Sequence, residues 1–288
     1  WALFAGSSVP SYHLAPPIRS FVPMTIALNG PGYAPGRERS WHLSLWLSPE
    51  LTGWCVHDLG DGRCVALHTA EGNALPDTAE LPLRPASVSF VVMPEISTLV
   101  PETALAPGTE TDHLRMVHGH LPTGLLRDEP ITALDARCIY LHDEAAEHAL
   151  LTRYPQARSL PLSAVLVPFA LARAGHGTVL LLHRDAKRVD ITVARDRQLL
   201  LHNTFHAVNA EDMLYWTLLA IERCGATPEG TRVLTAGPRM DEPCTALLQR
   251  YLPDVAPALR SSDVDAGLPG LADAHRFTAL IHQFACAS

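Results

Sequence analysis

The order of strand and helix signals repeats in this chain of 288 residues, and the repeat restricts its folds more than any single motif does. Trp41-His42-Leu43-Ser44-Leu45-Trp46-Leu47 alternates apolar and polar residues around Leu43, Leu45 and Leu47, as a half-buried strand does. A second run over 54–59 turns at Asp61-Gly62 into a third over 63–69, and glycine accepts the positive φ that a tight turn requires. A fourth strand is expected at 88–93, then irregular chain from Pro94 to Pro107 and a strand at 137–141. Asp143 is expected to cap a helix with Ala145, Ala149 and Leu150 on one face, followed by a strand at 157–160 and a buried helix at 162–174 closed by Gly175. The same order then returns. Strands are expected at 178–183, 188–194 and 198–205, then a helix capped by Asn209, ended by Gly225 and striped by Leu214, Leu218 and Ile221. A strand at 232–235 and helices at 241–251 and 272–284 complete the chain.

A meander followed by β/α units, twice over, is a duplication of architecture rather than of letters. It predicts an α/β protein with the two-lobed, duplicated actin-like (ribonuclease H-like) fold, each lobe a mixed sheet with a three-stranded meander and flanking helices. The expected boundaries are an N-terminal extension at 1–36, a first lobe at 37–174 and a second lobe at 175–288, with the junction at Gly175–Gly177. Trp1 is not an initiator, and residues 1–23 show neither a regular period nor a basic region followed by an apolar core. The expectation is a native start at Met24, or a sequence that begins upstream of the native start.

Charge and composition remove several functions. The net charge is −8, and acidic residues outnumber basic ones both in 1–174 and in 175–288, so neither half offers the basic stripe that phosphate neutralisation needs. Nucleic acid is not an expected partner. Lys187 is the only lysine, it lies between charged neighbours rather than in a glycine-rich phosphate loop, and lysine chemistry is thereby excluded. The longest apolar stretch, Leu160 to Ala172, is interrupted by Pro161 and Pro168, so membrane insertion is not expected. The six cysteines contain no C-x-x-C pair. With a two-residue turn at Asp61-Gly62, Cys64 would face Leu59, and Cys55 would lie about 13 Å along the strand, beyond disulfide reach. Scattered thiols point to a reducing, cytoplasmic location.

Three short stretches carry a resemblance. Ser97-Thr98-Leu99-Val100-Pro101-Glu102, Leu199-Leu200-Leu201-His202-Asn203-Thr204-Phe205 and Ala210-Glu211-Asp212-Met213-Leu214-Tyr215-Trp216 resemble, in the same order and spacing, motifs of the bacterial domain of unknown function 3822 family. The likeness runs over roughly residues 40–285 and leaves 1–36 outside it. The resemblance implies an actin-like ATPase fold and no established activity.

Nucleotide-binding members of the actin-like class use two D-x-G phosphate loops, where glycine admits backbone amides to the phosphates and a carboxylate holds Mg²⁺ through water. Here the first hairpin reads Ser48-Pro49-Glu50-Leu51-Thr52-Gly53 and the second Arg184-Asp185-Ala186-Lys187-Arg188. Pro49 removes a donor, no glycine follows Asp185, and the adenine-side loop Ala236-Gly237-Pro238 keeps one glycine. If a nucleotide binds, its contacts would be Glu50, Thr52, Gly53, Asp185 and Gly237. Both hairpins read as ordinary turns, the second as a solvated one.

Other constellations read as structure. His113, His118, His120, His202 and His206 read as surface or turn histidines, with no H-E-x-x-H or Cys/His pairing to make a metal site. Asp128-Glu129 and Asp263 with Asp265 read as loop charges, and no G-x-S-x-G elbow is present. The reading at this point is an uncharacterised cytoplasmic actin-like-fold protein that binds a protein partner as a scaffold, with degraded phosphate loops, no catalytic residues, no cofactor and no metal. The alternative is a weak Mg-ATP-binding ATPase or phosphotransfer protein using the site between the lobes.

Overall fold

The structure is a computed structural model that describes residues 25–48, 51–72, 81–142 and 144–287. Residues 1–24, Glu50 and Asp143, with the expectations placed on them, lie outside the described residues.

Fourteen strands are described. The first five are β1 (Ile26–Asn29), β2 (Trp41–Leu47), β3 (Leu51–Asp58), β4 (Cys64–Glu71) and β5 (Ser87–Val92). Next come β6 (Ile96–Pro101), helix α1 (Glu110–His118), β7 (Leu125–Ile131), β8 (Ala136–His142), α2 (Glu144–Arg153), β9 (Arg158–Pro161) and α3 (Leu162–Arg173). The second half holds β10 (Thr178–Arg184), β11 (Arg188–Arg195), β12 (Gln198–His206), α4 (Ala210–Arg223), β13 (Thr231–Ala236), α5 (Glu242–Gln249), β14 (Val255–Pro257), α6 (Ser261–Val264) and α7 (Thr278–Ala287).

The duplication is visible in the sheet orders. One sheet runs β1-β4-β3-β2-β5-β9 and another β12-β11-β10-β13-β14. Setting β1 aside, each is an antiparallel meander with two parallel strands added beside its first strand. The expected mixed α/β architecture is therefore present. Between β5 and β9 the first sheet carries an insertion absent from the second: the separate sheet β6-β8-β7 with α1. The stretch expected to be irregular at 94–107 contains β6, because Ile96 to Pro101 pairs in full with Ala136 to Leu141 of β8. Asp128 and Glu129 are not loop charges either. They stand in β7, where Asp128 pairs with Arg137 and the buried Glu129 carboxylate accepts from Arg158.

Helix α3 is apolar apart from Ser163 and the terminal Arg173, with nine buried residues, and it packs on β9, β10, β11, β12 and α7. A helix without a polar face belongs inside, and this one sits between the two large sheets. Helix α4 starts in the expected capping box: Asn209 accepts from the Asp212 amide and Asp212 from the Asn209 amide. Its buried residues are Met213, Thr217, Ala220 and Ile221, with Leu214 and Leu218 at the margin. On α2, Ala145 and Ala149 are exposed and Leu150 is buried, so the expected alanine face does not form. Helix α7 folds back onto β2, β3 and β5, completing the cover of the first sheet.

Candidate functional site

The two meander hairpins and the turn after β13 converge where the two large sheets meet. Thr52 and Gly53 lie in β3, Asp185 opens the β10–β11 turn and Gly237 follows β13. Trp46, near the end of β2, meets His183 of β10 with ring centroids 5.5 Å apart, and both side chains are buried. Gly53 and Pro238 line one crevice together with Trp46 and Phe277, and its volume is about 10 Å³. Ligand pockets measure about 300–1,000 Å³. A Cβ on Gly237 would lie 2.4 Å from the Arg184 carbonyl oxygen, and the Gly237 amide donates to the His275 carbonyl at 3.2 Å. The glycine here serves contact between chain segments.

The second hairpin is not the solvated turn that its charges suggested. Arg184 and Asp185 are buried and only Lys187 is exposed. The Asp185 carboxylate accepts from the Ala186 amide at 2.8 Å, and its own amide donates to the Arg188 carbonyl at 3.0 Å. Arg184 donates to the Arg239 carbonyl and to Cys244 Sγ. Arg188 reaches out of its own sheet: Nη1 donates to the carbonyls of Met93 and Pro94 at 3.1 and 3.2 Å, just beyond β5. Its other nitrogens grip Asp190, which also accepts from Thr204. Burial pushes the Asp190 carboxyl up, but the charge and hydrogen bonds of Arg188 outweigh it and hold the group well below the usual carboxylate range.

Thus the structure brings Gly53 and the turn at Gly237 and Pro238 together at one crevice beside the Trp46–His183 ring contact, and neither Thr52 nor Asp185 lines it. A larger cavity, of about 190 Å³, lies at the other ends of β10 and β13, where Arg173, Arg232 and Arg260 surround Asp263. It contains none of the residues expected at a nucleotide site, and Asp263, expected as a loop charge, stands in α6 and accepts from the Arg260 amide.

Sequence reasoning also misplaced the cysteines. The hairpin loop spans four residues: the Asp58 amide donates to the Arg63 carbonyl, so His57 and not Leu59 faces Cys64. Cys55 lies two residues before His57 on β3 and so shares its face, while the extra residue of the bulge, Val65, is on β4. Ligand atoms of Cys55, His57 and Cys64 lie within 4.8 Å of one another, all buried. The alternation Cys55-Val56-His57 was the available signal, because residues two apart on a strand share a face.

The sequence profile of a family described as a protein of unknown function (DUF3822) matches residues 86–255, more than half of the chain. The chain belongs to this family. The family match covers β5 through the start of β14 and is narrower than the 40–285 over which the motifs resemble it. No curated protein matches this DUF3822 chain in sequence. A Bacteroides thetaiotaomicron protein with an actin-like ATPase fold and unknown function is similar in structure, at TM-score 0.65 and 17% identity over 76% of this chain and 91% of that one. The DUF3822 chain accordingly has the actin-like ATPase fold. Weaker likenesses include the PilM-PilN type IV pilus biogenesis complex, at TM-score 0.48 and 15% identity over 87% and 99% of the two chains. The cytoplasmic domain of EpsL from the Vibrio cholerae type II secretion system follows, at 0.43 and 14% over 86% and 96%. No helix among the described residues is long and apolar enough to cross a membrane.

Proposed function

We propose that this protein is a non-catalytic, partner-binding member of the actin-like fold class, a scaffold whose phosphate loops have become packing surfaces. The observation that carries the reading is the ring contact of Trp46 with His183 beside the crevice lined by Gly53 and Pro238, where a nucleotide of the class would need room. Two further features support partner binding. Strand β12 lies at the edge of its sheet, runs nine residues from Gln198 to His206 and carries no acidic or lysine/arginine side chain, whereas natural proteins ordinarily blunt such an edge with charge. Beside it, Phe205 stacks on Trp216 and the exposed Tyr215 meets Trp216 edge-on, an aromatic composition typical of interfaces. The six cysteines, all free thiols, suit a reducing, cytoplasmic setting.

Thermal unfolding with and without millimolar Mg-ATP tests the reading. A ligand at about 100 times its dissociation constant stabilises the native state by roughly 2.7 kcal/mol, a shift of several degrees for a chain of this size. The expected result is no shift. A clear shift, removed by Asp185→Ala, would overturn the proposal in favour of a Mg-nucleotide-binding protein.

A further inference from the structure

The β3–β4 hairpin assembles two sulfurs and an imidazole from residues far less conspicuous than the chain's many other histidines. Cys55 and His57 alternate on β3, and Cys64 faces His57 across the hairpin, so three side chains converge on the face covered by α7. For three atoms no more than 4.8 Å apart, a point between them lies within about 2.8 Å of each, and contraction by about 0.5–0.8 Å reaches Zn–S and Zn–N bond lengths near 2.3 and 2.0–2.1 Å. A fourth group stands by. Ser44 is fully buried on β2 directly opposite Cys55. We propose that Cys55, His57 and Cys64 form a zinc-binding site, with the Ser44 hydroxyl beside the open fourth position.

Charge and orientation favour this assignment. Two thiolates and Zn²⁺ sum to zero, and a neutral centre suits a site walled by Leu280 and Phe284, whereas a monovalent soft ion would leave a buried net negative charge. The ring of His57 stacks on Phe284 at 4.8 Å, while Nδ1 stands 3.8 Å from Cys55 Sγ. This is the support that orients a metal-ligating histidine. Cys55 Sγ now donates to the Leu280 carbonyl at 3.3 Å, so binding exchanges that contact for a metal bond. Zinc binding would release two thiol protons, one from each cysteine, and would fasten the hairpin beneath α7.

The test uses the full chain, freed of metal and kept reduced, titrated with zinc alone against a chromophoric chelator. One equivalent per chain is expected. Cys64→Ser should weaken binding by at least about 100-fold, whereas Cys224→Ser and Cys286→Ser should leave it unchanged. Cobalt in place of zinc gives a readout on the unaltered protein: thiolate-to-cobalt charge-transfer absorption that Cys64→Ser removes. Failure of the full chain to take up either metal, binding unchanged in Cys64→Ser, or a cobalt complex without thiolate bands would each overturn the site.

Discussion

Trp46 and His183 face each other across the junction of the two large sheets, their rings tilted at 41°, and neither the indole nitrogen nor either imidazole nitrogen has a hydrogen-bond partner among the described residues. His183 Nδ1 stands 3.8 Å from Asp190 Oδ2, too far for a hydrogen bond. The contact therefore holds by packing. Trp46→Ala should cost about 3–5 kcal/mol, because a large buried ring leaves a cavity that rigid strands cannot close. His183→Phe keeps the ring and removes two unsatisfied nitrogens, so it should cost less than about 1 kcal/mol or stabilise the fold. Denaturant unfolding of the two variants checks both, and a loss above about 2 kcal/mol in His183→Phe would show that the imidazole nitrogens are needed.

Arg188 ties the second hairpin to the end of β5 while neutralising a buried carboxylate. Arg188→Met should destabilise the protein by about 3–5 kcal/mol, since Asp190 is left charged and buried. Adding Asp190→Asn should recover part of the loss. Equal stability of the single and double variants in denaturant unfolding would contradict the charge argument.

Gly237 adopts φ +100° with Arg184 backbone atoms in its Cβ position, while Gly72 adopts φ +105° with open space there. Gly72→Ala should thus cost only the backbone strain of a left-handed alanine, about 1–2 kcal/mol. Gly237→Ala adds a clash with main-chain atoms that have no rotamer to move to, raising the cost by about a further 1–3 kcal/mol. Thermal unfolding of the pair separates conformation from contact.

Burial of His202 on β12, partly offset by Asp190 and reinforced by Arg188, lowers its pKa to about 4, and its Nδ1 lies 2.9 Å from Thr192 Oγ1. The unfolded chain binds this proton near pH 6.5 and the native state only near 4. Stability is therefore full above 6.5 and falls as pH drops through that window. His42 and His282, also lowered by burial to about 4, act in the same sense. Between pH 7 and 5 His202 alone should account for about 2 kcal/mol, and His202→Gln should flatten the pH profile of unfolding by that share.

The sequence by itself determined the periodic elements and their order. Alternation at Leu43, Leu45 and Leu47, the Asn209 capping box and the largely apolar 162–174 stretch are local signals, so both meanders and the duplicated architecture were legible. The inserted sheet was not, because Leu125–Ile131 reads L-L-R-D-E-P-I and becomes a strand only through pairing with Ala136–His142. The candidate site divides in the same way. Its residues could be named from the loops, but their fate depended on three segments meeting: charges at Arg184 and Asp185 signal solvent locally, and the fold buries them under Gly237 and Arg239. One four-residue loop, not predictable from Asp61-Gly62 alone, decided whether Cys55 and Cys64 stood about 13 Å apart or shared a cluster with His57. Strand register is set by contacts between distant parts of the chain, and in this protein register decides which side chains meet.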